Sequence, residues 1–197
     1  MEQRAQQIVE TAIALAEEGG YQNVRLRDVA ARANVALGTL YKRFSSKEDI
    51  LVAALEMECQ QFEDLMRQFP PEGDEAQVRL AYFFTLSSRA LFQRPNFARA
   101  VLRSVSSGVE GIAAKVMNYQ EIMTRMIVRT IRDGGWQHDT IEPSEMEGDV
   151  SFMLQEIWYA SLIGWVGNVR SEDEVIAHMG RACALLLPAL EKGEGDE

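Results

Sequence analysis

Residues 26–44 read LRDVAARANVALGTLYKRF and carry the clearest structural signal in the chain. Apolar residues recur at helical spacing from Leu26 to Ala33, which predicts a short helix over residues 26–33. After three turn residues, a second short helix is predicted over residues 37–44, with Leu40 and Phe44 facing inward. Two short helices joined by such a turn, the second bearing polar and basic residues, are typical of a helix-turn-helix.

The outward face of the second helix contains no acidic residue and suits contact with DNA. Gly38 costs a helix roughly 1 kcal/mol relative to alanine, which close approach of the backbone to DNA would offset. Thr39 can contact a base or a phosphate, and Tyr41 and Lys42 suit phosphate contacts. Lys47 stands at a predicted helix N-terminus, where a bound phosphate would stabilise it. The alternative interpretation is a solvated helix face with a chance excess of basic residues.

The distribution of charge favours the DNA interpretation, although the 197-residue chain has a net charge of −10. Residues 21–47 contain six basic residues and one acidic residue, so the acidic excess lies after residue 50. No apolar run approaches the roughly 20 residues that span a bilayer, and the polar N-terminus does not resemble a secretory signal. Cys59 and Cys183 lack metal-ligand spacing and are predicted to be buried thiols in the cytoplasm. No metal or cofactor is predicted.

Helical periodicity extends over nearly the whole chain, which predicts an all-α fold of about nine helices. Ser46, Ser144 and Ser171 each precede an acidic residue by three positions and predict helix starts. Pro95 predicts another start. The expected domains are a helix-turn-helix DNA-binding domain over 1–48, a helical ligand-binding and dimerisation domain over 49–192, and a frayed tail over 193–197.

Residues 19–51, GGYQNVRLRDVAARANVALGTLYKRFSSKEDIL, resemble the DNA-binding domain of TetR-family transcriptional regulators. The G-T-L-Y-K-x-F core, the S-K-E that follows and the preceding A-x-x-A-N-V agree in order and spacing. The resemblance implies DNA contacts from the following residues: Arg27, Ala36, Leu37, Gly38, Thr39, Tyr41, Lys42 and Lys47. Two positions depart from the family pattern: Arg25 stands where the family usually has a capping Ser or Thr, and Ala36 stands where it usually has Ser. Loss of a capping hydroxyl can lower helix stability by about 1 kcal/mol.

Residues 90–104 and 156–175 are similar to the regulatory domain of the KstR-like branch, repressors of sterol and lipid catabolism. The similarity implies a bulky apolar effector with an anionic end, such as an acyl-CoA thioester. Residues 76–109 contain five arginines and no acid, and Arg99 and Arg103 share a helix face suited to phosphate groups. The alternative is that these arginines pair with acids on neighbouring helices. The predicted ligand-binding residues are Phe84, Arg99, Arg103, Tyr119, Met123, Met126 and Trp158.

The last two predicted helices, over residues 150–166 and 175–190, have apolar residues on most of their circumference. Packing against a single layer of helices would leave part of this apolar surface exposed. A two-fold dimer would bury them in a four-helix interface, and the alternative is a monomeric core. Whether Trp158 and Trp165 face the pocket or the partner is left open. The predicted interface residues are Leu154, Leu162, Trp165, Met179, Cys183 and Leu186.

Taken together, these patterns predict a homodimeric, ligand-responsive transcriptional repressor that binds a palindromic operator. Two other classes of protein are alternatives to this prediction. A helical interaction module without DNA binding would lack the operator affinity that a gel-shift experiment measures. An enzyme is the second alternative, but the two histidines, His138 and His178, stand in unrelated contexts, and no catalytic or phosphate-binding motif occurs.

Overall fold

The described part of the chain, residues 2–138 and 140–193 of a computed structural model, is helical and contains no strand. Ten α-helices and one 3-10 helix, Gly135–Gln137, follow one another along it. The α-helices are α1 Glu2–Gly19, α2 Leu26–Arg32, α3 Leu37–Tyr41, α4 Lys47–Gln68, α5 Ala76–Phe92, α6 Pro95–Val105, α7 Ala113–Ile131, α8 Glu145–Val166, α9 Glu172–Leu186 and α10 Pro188–Gly193.

The all-α prediction is confirmed, and the nine predicted helices are all present with three changes at their ends. α3 ends at Tyr41 rather than at Phe44. Helical periodicity predicts a helix over residues 108–133, and the corresponding α7 begins at Ala113 rather than at residue 108. Gly108 and Gly111 have φ values of 66° and 91°, which a right-handed helix does not accommodate. The last predicted helix is divided before Pro188, because proline has no N–H to donate to the preceding turn. Residues 194–197 of the predicted tail lie outside the described residues.

Side-chain caps fix the starts of the later helices. Ser144 accepts a hydrogen bond from the Glu147 amide while Glu147 accepts one from the Ser144 amide, which confirms the predicted capping box of α8. Ser171 and Glu174 form the same pair at α9. The α4 cap differs in detail. The Ser46 hydroxyl accepts a hydrogen bond from the Asp49 amide, but the Asp49 carboxylate accepts one from the Ser45 amide rather than from that of Ser46.

The helices form two compact units, and the unit boundaries fall within α4, α5 and α7. The N-terminal unit comprises Met1–Cys59 and Leu91–Tyr119, and the C-terminal unit comprises Gln60–Ala90 and Gln120–Glu197. α6 therefore belongs to the same unit as the two short helices α2 and α3. The division at residue 48 is a functional one and stays a prediction.

The core of the N-terminal unit collects the apolar faces of α1, α2, α3, α4 and α6. Leu40 of α3 is fully buried there, beside the small side chains of Ala30 and Ala33. α6 contributes Phe97 and Val101 to the same cluster. Burial of these apolar side chains is the main term that stabilises the short helices.

The C-terminal unit combines aromatic packing with buried arginines. Phe62, Phe83, Phe84 and Trp158 form a chain of ring contacts with centroids 5.3–5.8 Å apart. Arg129 of α7 is buried and pairs with the buried Glu63 at 2.6 Å. A buried pair of this kind is costly to break, because removing one partner leaves an uncompensated charge.

Arg79 ties the start of α5 to the end of α7. Its guanidinium donates to the carbonyl oxygens of Gly73, Asp74, Thr130 and Ile131 at 2.6–3.1 Å. Across the described part of the chain, no helix is long and apolar enough to cross a membrane.

Two glycines of the C-terminal unit predict opposite effects of the same substitution. A Cβ at Gly135 would lie 2.9 Å from the Arg129 Cα and closer to its carbonyl oxygen, so Gly135→Ala requires the backbone to move. A Cβ at Gly148, within α8, meets nothing within 4 Å. We expect Gly135→Ala to lower the free energy of unfolding by about 2 kcal/mol or more, and Gly148→Ala to raise it by up to about 1 kcal/mol. Urea denaturation checks both, and equal stability of the two variants would contradict this packing.

Candidate nucleic-acid interface and effector region

The helix-turn-helix prediction is reproduced by α2, α3 and the turn between them. Asn34 adopts a left-handed conformation with φ 52°, and the Val35 amide donates to the Ala30 carbonyl at 3.0 Å. This tight turn brings α3 back across α2. Leu40 and Phe44 are buried, as predicted, so the opposite face of α3 points away from the core.

The outward face of α3 is polar and basic. Ala36, Gly38, Tyr41 and Lys42 are exposed, with Tyr41 54% accessible, and Thr39 is partly exposed. On α2, Arg27 is also exposed.

Leu37 is the exception to the predicted outward set. It is only partly exposed, because its side chain packs against the apolar core of the N-terminal unit. Leu37 therefore contributes to the packing that holds α3 in place.

Among the described residues, open space surrounds the position that a Gly38 side chain would occupy. A Cβ built on it meets nothing within 4 Å, and its φ is not positive. Neither crowding nor backbone conformation therefore requires glycine here. Glycine nevertheless lowers the stability of a helix, so its presence points to a requirement outside the folded chain, such as close approach of another molecule.

The first residues of α2 and α3 lack side-chain caps, as the two departures from the family pattern led us to expect. Arg25 and Ala36 occupy the N-cap positions, and neither makes a side-chain hydrogen bond to its helix. The two helices therefore owe their stability to packing rather than to capping.

Lys47 is held by a cluster around Tyr21 that the sequence analysis missed. Its ammonium lies 3.6 Å from the Tyr21 ring centroid and donates to the Tyr21 carbonyl oxygen at 3.3 Å. The Tyr21 hydroxyl donates to Glu48, and the Arg103 guanidinium lies 4.2 Å from the same ring. Burial lowers the pKa of Lys47 and raises that of Tyr21. Lys47 is thus positioned at the start of α4 by contacts within the chain.

The arginines of residues 76–109 do not act as one group. Arg94 pairs with Glu17 and with Glu58, as the alternative interpretation holds. Arg99 and Arg103 are both exposed on α6, and the Arg103 guanidinium also contacts the ring of Tyr21 in the N-terminal unit. Only Arg99 of the two predicted phosphate-binding arginines therefore presents a guanidinium without an assigned packing role.

The predicted ligand-binding residues are divided between the two units. Phe84, Met123, Met126 and Trp158 are buried in the C-terminal unit, where the Phe84 and Trp158 ring centroids are 5.7 Å apart. Trp158 thus faces this interior, which answers one of the two open questions about the tryptophans. Arg99, Arg103 and Tyr119 belong to the N-terminal unit, and burial raises the pKa of the Tyr119 hydroxyl.

Buried polar side chains accompany the apolar ones in the C-terminal unit, and the sequence analysis did not identify them. The Trp158 indole donates to the Ser88 hydroxyl at 2.9 Å, and the Gln155 amide donates to the Thr124 hydroxyl at 3.0 Å. Ser151 is also fully buried. The available signal was the occurrence of polar residues within the largely apolar sequence of α8.

The same unit contains a polar cleft of about 250 Å³ near the end of α7. Three arginines line it, and each is engaged within the chain: Arg79 with carbonyl oxygens, Arg129 with Glu63, and Arg132 with Glu147. We therefore interpret the arginines of this cleft as structural residues that hold neighbouring segments of the unit together.

Four of the six predicted interface residues lie in the core of the chain instead. Leu154, Leu162, Met179 and Cys183 are at most 1% exposed, because they face the neighbouring helices of their own unit. Burial raises the pKa of the Cys183 thiol to about 12, and Cys59 is also buried, which confirms both cysteines as buried thiols. A partner chain would have to contact other faces of α8 and α9.

Those other faces carry large apolar side chains. Trp165 and Leu186, the remaining predicted residues, are partly exposed. Phe152 and Ile163 of α8 are 55% and 42% exposed, and Leu185 of α9 is 79% exposed.

The chain resembles known bacterial regulators over nearly its whole length. Residues 8–54 match the family described as "Bacterial regulatory proteins, tetR family", and residues 73–186 match the "Tetracyclin repressor-like, C-terminal domain". The HTH-type transcriptional repressor KstR of Rhodococcus jostii (strain RHA1) is 30% identical over 185 residues, which cover 94% of this chain and 83% of that protein.

Solved structures share the fold. A TetR transcriptional regulator from Rhodococcus sp. RHA1 superposes with a TM-score of 0.83 at 24% identity, covering 95% of this chain and 98% of that one. The regulator FadR from Bacillus subtilis, in complex with stearoyl-CoA, gives a TM-score of 0.66 at 23% identity, covering 92% and 96%. The chain belongs to the TetR family of transcriptional regulators, and KstR repressors are among its relatives.

Proposed function

We propose that this protein is a homodimeric repressor that binds a palindromic operator through α2, α3 and the start of α4 and responds to a hydrophobic effector. The observation that carries the DNA-binding part is the outward face of α3. It is exposed and free of acidic residues in a chain of net charge −10, and it contains a glycine with open space around it. We propose no catalytic role for the chain, and we place it in the cytoplasm, where its operator DNA is.

Each predicted contact residue has a role that its position supports. Tyr41 and Lys42 reach outward and suit phosphates, and Thr39 suits a base edge. Arg27 approaches the DNA from α2, and Ala36, Leu37 and Gly38 allow the start of α3 to lie close to it. Lys47 suits a phosphate at the N-terminus of α4, with Tyr21 fixing the direction of its side chain.

Dimerisation is assigned to the exposed apolar faces of α8 and α9. Phe152 and Ile163 lie on the exposed face of α8, with Leu185 on that of α9, and α8 packs on α9 within the chain. A two-fold axis would bury these side chains against their copies in a four-helix arrangement. The dimer would carry two recognition helices, one for each half of a palindromic operator.

The effector is proposed to be an apolar molecule with an anionic end, such as an acyl-CoA thioester. The FadR relative was solved with stearoyl-CoA, and KstR relatives cover nearly the whole chain. The buried Phe84, Met123, Met126 and Trp158 form an apolar, adaptable region of the C-terminal unit. On this basis residues 1–48 bind DNA and residues 49–192 bind the effector and the partner chain.

Regulation would be allosteric in the thermodynamic sense. An effector that binds more tightly to one conformation of the dimer shifts the population toward it, and operator affinity changes by the same coupling free energy.

Gly38→Ala tests the recognition face separately from folding. We expect operator affinity to fall by about tenfold or more, equivalent to about 1.4 kcal/mol, because a methyl group would separate α3 from the DNA. The melting temperature should not fall, because alanine is the better helix former. Fluorescence anisotropy with an operator selected from a random duplex library measures the affinity. Gly148→Ala, a substitution on α8, should leave it unchanged. Wild-type affinity in Gly38→Ala would contradict the proposed docking.

Leu185→Glu tests the dimer surface. A charge at this exposed position should yield a monomer with unchanged helix content, because burying an unpaired carboxylate opposes association. Val78→Glu, at an exposed apolar position of α5, is the matched control and should remain a dimer. Analytical ultracentrifugation at micromolar concentration distinguishes the two species. A monomeric wild-type protein, or a Leu185→Glu dimer of undiminished stability, would refute the assignment.

Thermal-shift measurements with lauroyl-CoA, laurate and CoA test the effector class. The thioester should raise the melting temperature most, because ligand binding to the folded state stabilises it by mass action. Arg99→Ala should reduce the shift from the thioester but not that from laurate, whereas Arg89→Ala, at another exposed arginine, should change neither. Equal shifts from laurate and lauroyl-CoA, unaffected by Arg99→Ala, would rule out a phosphate contact by this residue.

A further inference from the structure

The inward face of α8 is unusually polar for the interior of an apolar unit. Ser151 and Gln155 lie on it one helical turn apart, with relative exposures of 0% and 8%. Trp158 continues the same face. Burying hydroxyl and amide groups is unfavourable unless each finds a hydrogen-bond partner.

Some of these buried polar groups have hydrogen-bond partners and others do not. The Trp158 indole donates to Ser88, and Gln155 Nε2 donates to the Thr124 hydroxyl. The far end of the Gln155 amide, Oε1, has no partner among the described residues, and neither has Ser151 Oγ. Two unsatisfied polar atoms therefore lie four residues apart on one buried helix face.

Each unsatisfied atom lowers stability by about 1–3 kcal/mol relative to a satisfied one. Alanine and methionine would fit a buried helix face without that loss. Residues four apart on a helix are neighbours, so one small polar group can reach both side chains. A bound molecule that supplies such a group would satisfy both atoms at once.

We propose that Ser151 and Gln155 form a polar subsite that binds a hydroxyl group on the effector's hydrophobic body. This inference rests on the proposed effector region and adds the chemical class of the group recognised there. A ligand hydroxyl can donate a hydrogen bond to Gln155 Oε1 and at the same time accept one from the Ser151 hydroxyl. A ketone only accepts, and a hydrocarbon does neither.

The surroundings suit a guest that is apolar apart from this group. Thr124 holds one end of the Gln155 amide and so fixes the direction of the other. Phe84 contacts the Trp158 ring edge-on in the same unit. Met123 and Met126 are buried on α7, the helix that carries Thr124, and their unbranched side chains can adjust to an irregular ligand.

Small probes of matched size test the subsite without requiring the natural effector. Cyclohexanol, cyclohexanone and methylcyclohexane are titrated into the full-length protein, and binding is followed through the ¹³C-methyl NMR signals of Met123 and Met126. We expect cyclohexanol to bind about fivefold to tenfold more tightly than methylcyclohexane, the effect of one or two neutral hydrogen bonds. Gln155→Met and Ser151→Ala should each abolish this preference. Ser161→Ala, whose hydroxyl lies 3.4 Å from His178 Nδ1, should retain it. Equal affinity for the three probes would overturn the proposal.

The ligand-free protein provides a second readout. If the two atoms await a ligand, Ser151→Ala should raise the melting temperature, because it removes an unsatisfied buried hydroxyl and breaks no hydrogen bond among the described residues. If a buried water satisfies this hydroxyl, Ser151→Ala should lower the melting temperature and the proposal fails. A wild-type protein that prefers cyclohexanol but gives no thermal shift with lauroyl-CoA would contradict the acyl-CoA effector and leave the hydroxyl subsite standing.

Discussion

The recognition surface depends on the burial of Leu40 and Phe44. α2 and α3 contain seven and five residues, far fewer than the roughly 12–15 that an isolated helix needs in water. Neither has a side-chain cap, so local interactions contribute little. The geometry of the outward face is therefore a consequence of tertiary packing, and any change that loosens the core also disorders the surface proposed to contact DNA.

That core includes α6, which lies far from α3 in the sequence. Phe97 and Val101 belong to the same apolar cluster as Leu40, and Arg103 contacts the ring of Tyr21, which also positions Lys47. A shift of α6 would consequently alter both the packing beneath α3 and the start of α4. α6 is therefore a determinant of the packing beneath the proposed recognition surface and of the position of Lys47.

Local signals predicted local structure well, and contacts between distant residues were missed for a physical reason. The spacing of Leu40 and Phe44, the capping serines of α8 and α9, and Pro95 each act within one or two helical turns, so the sequence alone reveals them. Periodicity also shows that α8 has apolar residues on several faces. It does not say which face the chain covers itself, and Leu154 and Leu162 were therefore assigned to a partner although they are buried within the chain. The Tyr21–Arg103 contact joins residues about eighty positions apart, and no local pattern encodes it.

The binding function proposed for the C-terminal unit would lower the stability of the free protein. A helix face used only for packing would be more stable with aliphatic residues at every buried position, yet α8 carries Ser151 and Gln155 there. The remaining buried polar groups nearby are paired, Trp158 with Ser88 and the Gln155 amide nitrogen with Thr124. Because these neighbouring groups are paired, the unsatisfied Ser151 hydroxyl and Gln155 carbonyl oxygen mark a specific place on α8. A ligand that completes the network would recover stability that the free protein lacks, and that differential is what an effector needs in order to shift a conformational equilibrium.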